Sequence, residues 1–155
     1  MRKIIILYFT IILISCSIGA GTHGSIKSYQ YPVTKAELET AVNNVIRNDT
    51  VIHREFNGGY YNDTKKYVTI NIKNIGRKYE YIFRYLGDSL IWANSKSSEI
   101  FICYIYDGNG NGGSEGNGKW EQTPETIKKS MVDLFESEFI NKLDKELKQK
   151  QVETQ

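Results

Sequence analysis

The sequence predicts an α+β fold: a four- to five-stranded antiparallel meander sheet with an N-terminal and a C-terminal helix packed on one face. Three observations lead there. Apolar residues recur at helical spacing after Thr34 and again after Thr123. Between those stretches, short runs alternate apolar with polar residues. Glycine, asparagine and aspartate separate the runs, as hairpins require.

The first helix is announced by its cap. The Thr34 hydroxyl is placed to accept an orphan backbone N–H, and Glu37 three residues on completes a capping box. Val33 and Leu38 flank the cap as a hydrophobic staple. Leu38, Ala41, Val42, Val45 and Ile46 then fall on one face, and the pattern stops near Asn48 and Asp49. Strands follow. Val51 to Phe56 is a first run, ended by Asn57-Gly58-Gly59. Tyr67 to Lys73 places Val68, Ile70 and Ile72 on one side. After the turn Asn74 to Arg77, the run Lys78 to Leu86 sets Tyr79, Tyr81, Phe83 and Tyr85 against Lys78, Glu80 and Arg84. Gly87-Asp88 turns the chain again, Ser89 to Ala93 reads as a short returning run, and Ser98 to Tyr106 is a long strand apolar on both faces.

A glycine-rich segment runs from Asp107 to Gly118. Thr123-Pro124 then signals a second helix, with threonine as cap and proline at the first helical position. Its apolar stripe is Ile127, Met131, Leu134, Phe135, Leu143 and Leu147, widened by Val132, Phe139 and Ile140. Beyond Asp144 the composition turns to Lys, Glu and Gln, which predicts a frayed end.

The N-terminus has a different character. Met1-Arg2-Lys3 precedes an apolar run from Ile4 to Ile14 and then Ser15-Cys16, the layout of a secretory signal peptide. The run is about half the ~20 apolar residues that a spanning helix needs. Leu13-Ile14-Ser15-Cys16 resembles the lipobox of bacterial lipoproteins. That resemblance implies a diacylglyceryl group on the Cys16 sulfur, cleavage before Cys16 and acylation of the freed amine. In that family an aspartate after the cysteine often marks retention in the inner membrane, so Ser17 points to the outer membrane, facing the periplasm. The division that follows is a signal peptide over 1–15, the lipidated cysteine and a Gly/Ser-rich tether over 16–30, one domain over 31–150 and a frayed tail over 151–155. A flexible tether of ~14 residues has a root-mean-square reach of ~20 Å. His23 falls in it without an assigned role.

Without Arg2 and Lys3 the 20 basic residues become 18, equal to the 18 acidic ones, so the formal charge of +2 disappears. A nucleic-acid partner, which wants a basic patch, is not expected. Cys16 and Cys103 are the two cysteines. With Cys16 lipidated no internal disulfide forms, and Cys103, inside an apolar strand, reads as a buried small hydrophobe.

The sharpest local pattern resembles the start of an EF-hand calcium loop. Asp107, Asn109 and Asn111 occupy the first, third and fifth places, Gly112 the sixth and Glu115 the ninth. The twelfth place, a bidentate glutamate in that family, is Gly118, and a strand precedes the loop where a helix belongs. Calcium, the one cofactor suggested, is therefore expected to bind weakly or not at all, and an ordinary Gly/Asn loop is preferred. The tyrosines raise a second idea: Tyr79, Tyr81, Phe83, Tyr85, Tyr104, Tyr106 and Trp92 as a platform for sugar rings. The charged residues opposite favour core for most of them. Tyr60, Tyr61 and Trp120, beside glycine-rich loops, are the better candidates for exposed contacts. His53 is the only histidine of the folded region, no Gly-x-Ser-x-Gly elbow is present, and Cys103 lies mid-strand, so catalysis is not expected. The expectation is a lipid-anchored envelope protein that works without catalysis through a protein partner, such as an accessory subunit of an envelope complex. An inhibitor or immunity protein against a hydrolase or toxin, and a weak calcium- or glycan-binding module, are the alternatives.

Overall fold

The computed structural model describes residues 25–56 and 66–152. Its elements are β1 (Lys27–Tyr31), α1 (Lys35–Asn48), β2 (Ile52–Glu55), β3 (Tyr67–Asn74), β4 (Arg77–Tyr85), α2 (Ser89–Asn94), β5 (Ser98–Tyr106), β6 (Gly112–Gly113), α3 (Gly118–Gln122), α4 (Glu125–Phe135), a π-helical turn over Glu136–Ile140, and α5 (Asn141–Leu147). The sheet runs β1-β5-β4-β3-β2, with every neighbouring pair antiparallel. Strands β2 to β5 form the expected meander. Strand β1 adds to the far side of β5, and β6 continues along that same edge, pairing Ile105 with Gly113.

The helices cover one face. Tyr29 and Tyr31 of β1, Val68, Ile70 and Ile72 of β3, Tyr81, Phe83 and Tyr85 of β4, and Ile100, Ile102 and Ile105 of β5 form a single core with the apolar stripes of α1, α4 and α5. The capping box forms as the sequence predicts: Glu37 N–H donates to the Thr34 hydroxyl at 3.3 Å, and Thr34 N–H donates to Glu37 Oε2 at 2.8 Å. Helix α1 is tied to α5 by Asn44 Nδ2 donating to Glu146 Oε1 at 2.8 Å and by an ion pair at 2.6 Å between Lys142 of α5 and Asp49, which ends α1. The π turn admits an extra residue, so Phe135, Phe139, Ile140 and Leu143 all reach the core.

Four expectations are corrected. The tether does not extend to Gln30, because Lys27–Tyr31 is a strand whose Tyr29 and Tyr31 rings are fully buried. Ser89 to Ala93 is not a strand. Asp88 caps a helix there, its Oδ1 accepting from Leu90 N–H at 3.0 Å and Ile91 N–H at 3.1 Å. Thr123 does not cap the last helix; its hydroxyl accepts from Gly112 N–H at 3.0 Å and donates to Lys119 O at 2.9 Å, joining β6 to α3. The domain also runs past residue 150. Lys148 adopts a left-handed conformation that reverses the chain, and Val152 N–H donates to Gln30 O at 2.8 Å.

Candidate functional site

The second face of the sheet, turned away from the helices, carries the chemistry left over from the core. Alternation puts it there: the residues between core-facing partners on β3, β4 and β5 point the other way. Tyr67 pairs with Arg84, and Arg84 with Phe101, so one row crosses three strands. The Arg84 guanidinium lies 4.4 Å from the Phe101 ring and 5.9 Å from that of Tyr67, and its Nη1 donates to the Tyr67 hydroxyl at 3.3 Å. Ile82 faces Tyr104 in the next row, and Glu80 faces Tyr106 beyond it.

Two buried side-chain polar atoms among the described residues have no hydrogen-bond partner, and both belong to this face: Arg84 Nε and Asn71 Oδ1. Asn71 is 1% exposed. Its orientation is set by Nδ2, which donates to Glu55 Oε1 at 2.6 Å, while Lys78 pairs with the same carboxylate at 3.0 Å. A buried polar atom left unsatisfied costs roughly 1–3 kcal/mol, and both of these are shielded from solvent.

Cys103 belongs to β5 where its register against β4 shifts: Tyr104 pairs with Ile82 and Ile102 with Phe83, leaving Cys103 as the extra residue of a bulge. It is buried, as expected. Burial pushes its thiol up to about 11 against the opposing pull of Arg84, so it stays protonated at neutral pH.

Of the calcium candidates, Asp107 is bonded to Asn109 and Asn111 within its own turn. The Asp107 carboxylate turns inward. Its Oδ1 accepts from Asn109 N–H at 2.8 Å and Asn111 N–H at 3.0 Å, and its Oδ2 accepts from Asn111 Nδ2 at 2.7 Å. Burial alone raises the carboxyl pKa, but these three bonds and Arg77 outweigh it and hold the pKa below the usual value. Asp107 thus organises its own turn, and Asn111 Nδ2 occupies the side of the carboxylate that a cation needs. Glu115 is not among its partners. No group of three or more His, Cys, Asp or Glu residues fit to hold a metal ion occurs among the described residues.

The exposed-aromatic candidates divide. Trp120 is a correction: it is 7% exposed and part of the core, because α3, capped by Asn117 Oδ1 on Lys119 N–H at 3.0 Å, turns the indole inward beneath Lys128. Tyr60, Tyr61 and the lipid-attachment residue Cys16 lie outside the described residues. The glycan platform is also divided by the fold, with Tyr81, Phe83 and Tyr85 in the core and Tyr104 and Tyr106 on the opposite face.

A second feature escaped the sequence reading. At the corner between β4 and β5, Leu86, Leu90 and Ile91 are 47%, 76% and 54% exposed, and α2 buries none of its residues. The cap at Asp88 is a visible signal for this helix; the exposure of its apolar side chains is not. No helix of the described residues is long and apolar enough to cross a membrane. No protein-family model matches the chain, and no curated protein and no solved structure matches it.

Proposed function

We propose that this chain is a lipid-anchored lipoprotein of the bacterial cell envelope, held by lipid on Cys16 and facing the periplasm from the outer membrane. It acts without catalysis, through contacts with an envelope protein, as an accessory subunit of an envelope complex. The observation that carries the protein-contact reading is the second sheet face, where Tyr67, Arg84, Tyr104 and Tyr106 are partly exposed across three strands. Tyrosine, phenylalanine and arginine are the residues that concentrate binding energy at interfaces. The protonated, buried Cys103 thiol supports a role without nucleophilic chemistry.

The test is site-specific photocrosslinking in intact cells, with the crosslinker at Tyr106 on this face and, separately, at the exposed Lys129 on α4. Discrete adducts are expected from position 106, weakened by Arg84→Ala, and none of the same mass from position 129. Identical patterns from both positions refute the assignment of the face. Labelled-palmitate incorporation tests the anchor, and uptake unchanged in a Cys16→Ala variant refutes it.

A further inference from the structure

The apolar corner at α2 is built to stay exposed. Gly87, at φ +100°, turns the chain so closely that an added Cβ would meet Ile91 Cγ2 at 3.0 Å. Asp88 caps the helix, and Trp92 Nε1 donates to Leu86 O at 2.8 Å. Lys35 lies 4.8 Å from the Tyr85 ring and 4.9 Å from Trp92, clamping the indole to the core side. With Trp92 held in this way, the outward residues are Leu86, Leu90 and Ile91. The register gathers more at the same end. Glu55 pairs with Thr69, Tyr67 with Arg84, and Tyr85 with Ile100, so Phe56, Lys66 and Leu86 lie on one rim. Phe56 is 79% exposed. Four of the six exposed large apolar residues among the described residues therefore sit at this end of the sheet, while Ile75 marks the other end.

Lys66 and Lys96 have no salt-bridge partner among the described residues. Of the acids there, Glu39 pairs with Lys35 and Glu55 with Lys78, while the exposed Asp88 holds the helix cap. Glu99 is half-buried. Apolar side chains beside unpaired lysines match the boundary of an anionic bilayer.

We propose that this end of the domain docks on the anionic lipid surface in which the Cys16 lipid is embedded, a conclusion that rests on the lipoprotein reading above. Leu86, Leu90 and Ile91 enter the boundary between headgroups and acyl chains, and Lys66 and Lys96 meet the phosphates. The reach is sufficient. The ten residues after Cys16, from Ser17 to Ile26, span at most about 34 Å. The corner lies about 17 Å from the chain's entry, the length of β1 at ~3.4 Å per residue. Docking in this pose sets the strands steeply against the membrane and leaves the second sheet face open sideways to a protein partner.

The experiment uses the mature, lipidated protein in vesicles of phosphatidylethanolamine and phosphatidylglycerol, and in vesicles of phosphatidylcholine. A polarity-sensitive fluorophore is carried at Leu90→Cys or, as control, at Ile75→Cys, after each variant is shown to melt as the parent does. At position 90 a blue shift and several-fold stronger quenching by brominated acyl chains are expected, greater in the anionic vesicles, with neither at position 75. Equal responses at the two positions, or a water-like signal at 90 in protein that carries the lipid, overturn docking and leave the anchor reading intact. Shielding at 90 that rises with protein density at fixed lipid overturns it in favour of a second copy of the chain. A chain that takes up no palmitate removes the anchor reading, and docking falls with it.

Discussion

Replacing Asp107 with alanine should unfasten the glycine-rich loop. The carboxylate is 6% exposed and accepts three hydrogen bonds from Asn109 and Asn111. Bonds to a charged group contribute about 1.5–3 kcal/mol each when fully buried. Asn109 is exposed, so its freed N–H rehydrates, whereas Asn111 is half-buried and rehydrates less well. The expected loss is about 2–3 kcal/mol. At about 4 °C per kcal/mol for a domain of this size, the melting temperature should fall by about 8–12 °C. Asp107→Asn retains an acceptor and loses the charge, so it should fall by about half as much.

The pH dependence supplies an independent check. The folded pKa of Asp107 lies below its ordinary value of 3.8, so its stabilisation is complete above that value and is lost as pH falls through the folded one. The gap between the parent and Asp107→Asn should be constant from neutral pH to about 5 and close below 3.8. Taking the difference removes the titration of all other carboxyls. Calcium should add nothing: a millimolar site would raise stability by about 1.4 kcal/mol at ~10 mM calcium, and the engaged carboxylate offers no such site. Differential scanning calorimetry reads all of these. A fall of under about 2 °C in Asp107→Ala refutes the reasoning, as does a calcium-dependent rise abolished by the same substitution.

Gly112→Ala should cost about 3 kcal/mol or more, because its Cβ would lie 2.1 Å from Ile105 O and its φ is +118°. Gly110→Ala, at φ +95° with no atom within 4 Å, should cost only about 1 kcal/mol; equal losses by urea denaturation would contradict the β6 pairing. Tyr31→Phe removes a bond from the hydroxyl to Asp144 Oδ1 at 2.8 Å and should cost about 1–2 kcal/mol with an unchanged denaturant slope. No loss there would separate β1 from the C-terminal helix.

The legible parts of this fold were those whose signals are local. The capping box at Thr34, the stripe of α1 and the alternation of β3 and β4 needed no distant partner. Strand β1 did, since five residues with two tyrosines make a strand only when β5 lies alongside, and the neighbouring Gly/Ser stretch masked the alternation. At α2 the turn signal Gly87-Asp88 fitted a hairpin as well as a helix cap, and the exposed Leu90 and Ile91 contradict the rule that apolar faces turn inward. Trp120 followed a glycine run, which disguised a one-turn helix capped by Asn117. The second-face row was half visible: Arg84 was read as opposite the aromatics of its own strand, but the bulge at Cys103 that decides which aromatics of β5 face each side has no sequence mark.

The C-terminal third of this chain is arranged around strand β1. The Tyr29 hydroxyl donates to Glu136 Oε1 at 3.1 Å, Lys27 pairs with the same carboxylate, and the Tyr31 hydroxyl donates to Asp144. Glu136 opens the π turn, and Asp144 lies in α5. Burial first, and then these carboxylates, push both phenols far above their ordinary range, so they remain donors at neutral pH. On its outer side β1 would be an open edge, but Val152 bonds Gln30 across it. Pulling on residue 25 therefore works against β5, against the bond from Val152 and against two buried tyrosine hydroxyls. The left-handed turn at Lys148 brings the chain back to β1, so the C-terminus closes the same edge that the two tyrosine hydroxyls brace from within.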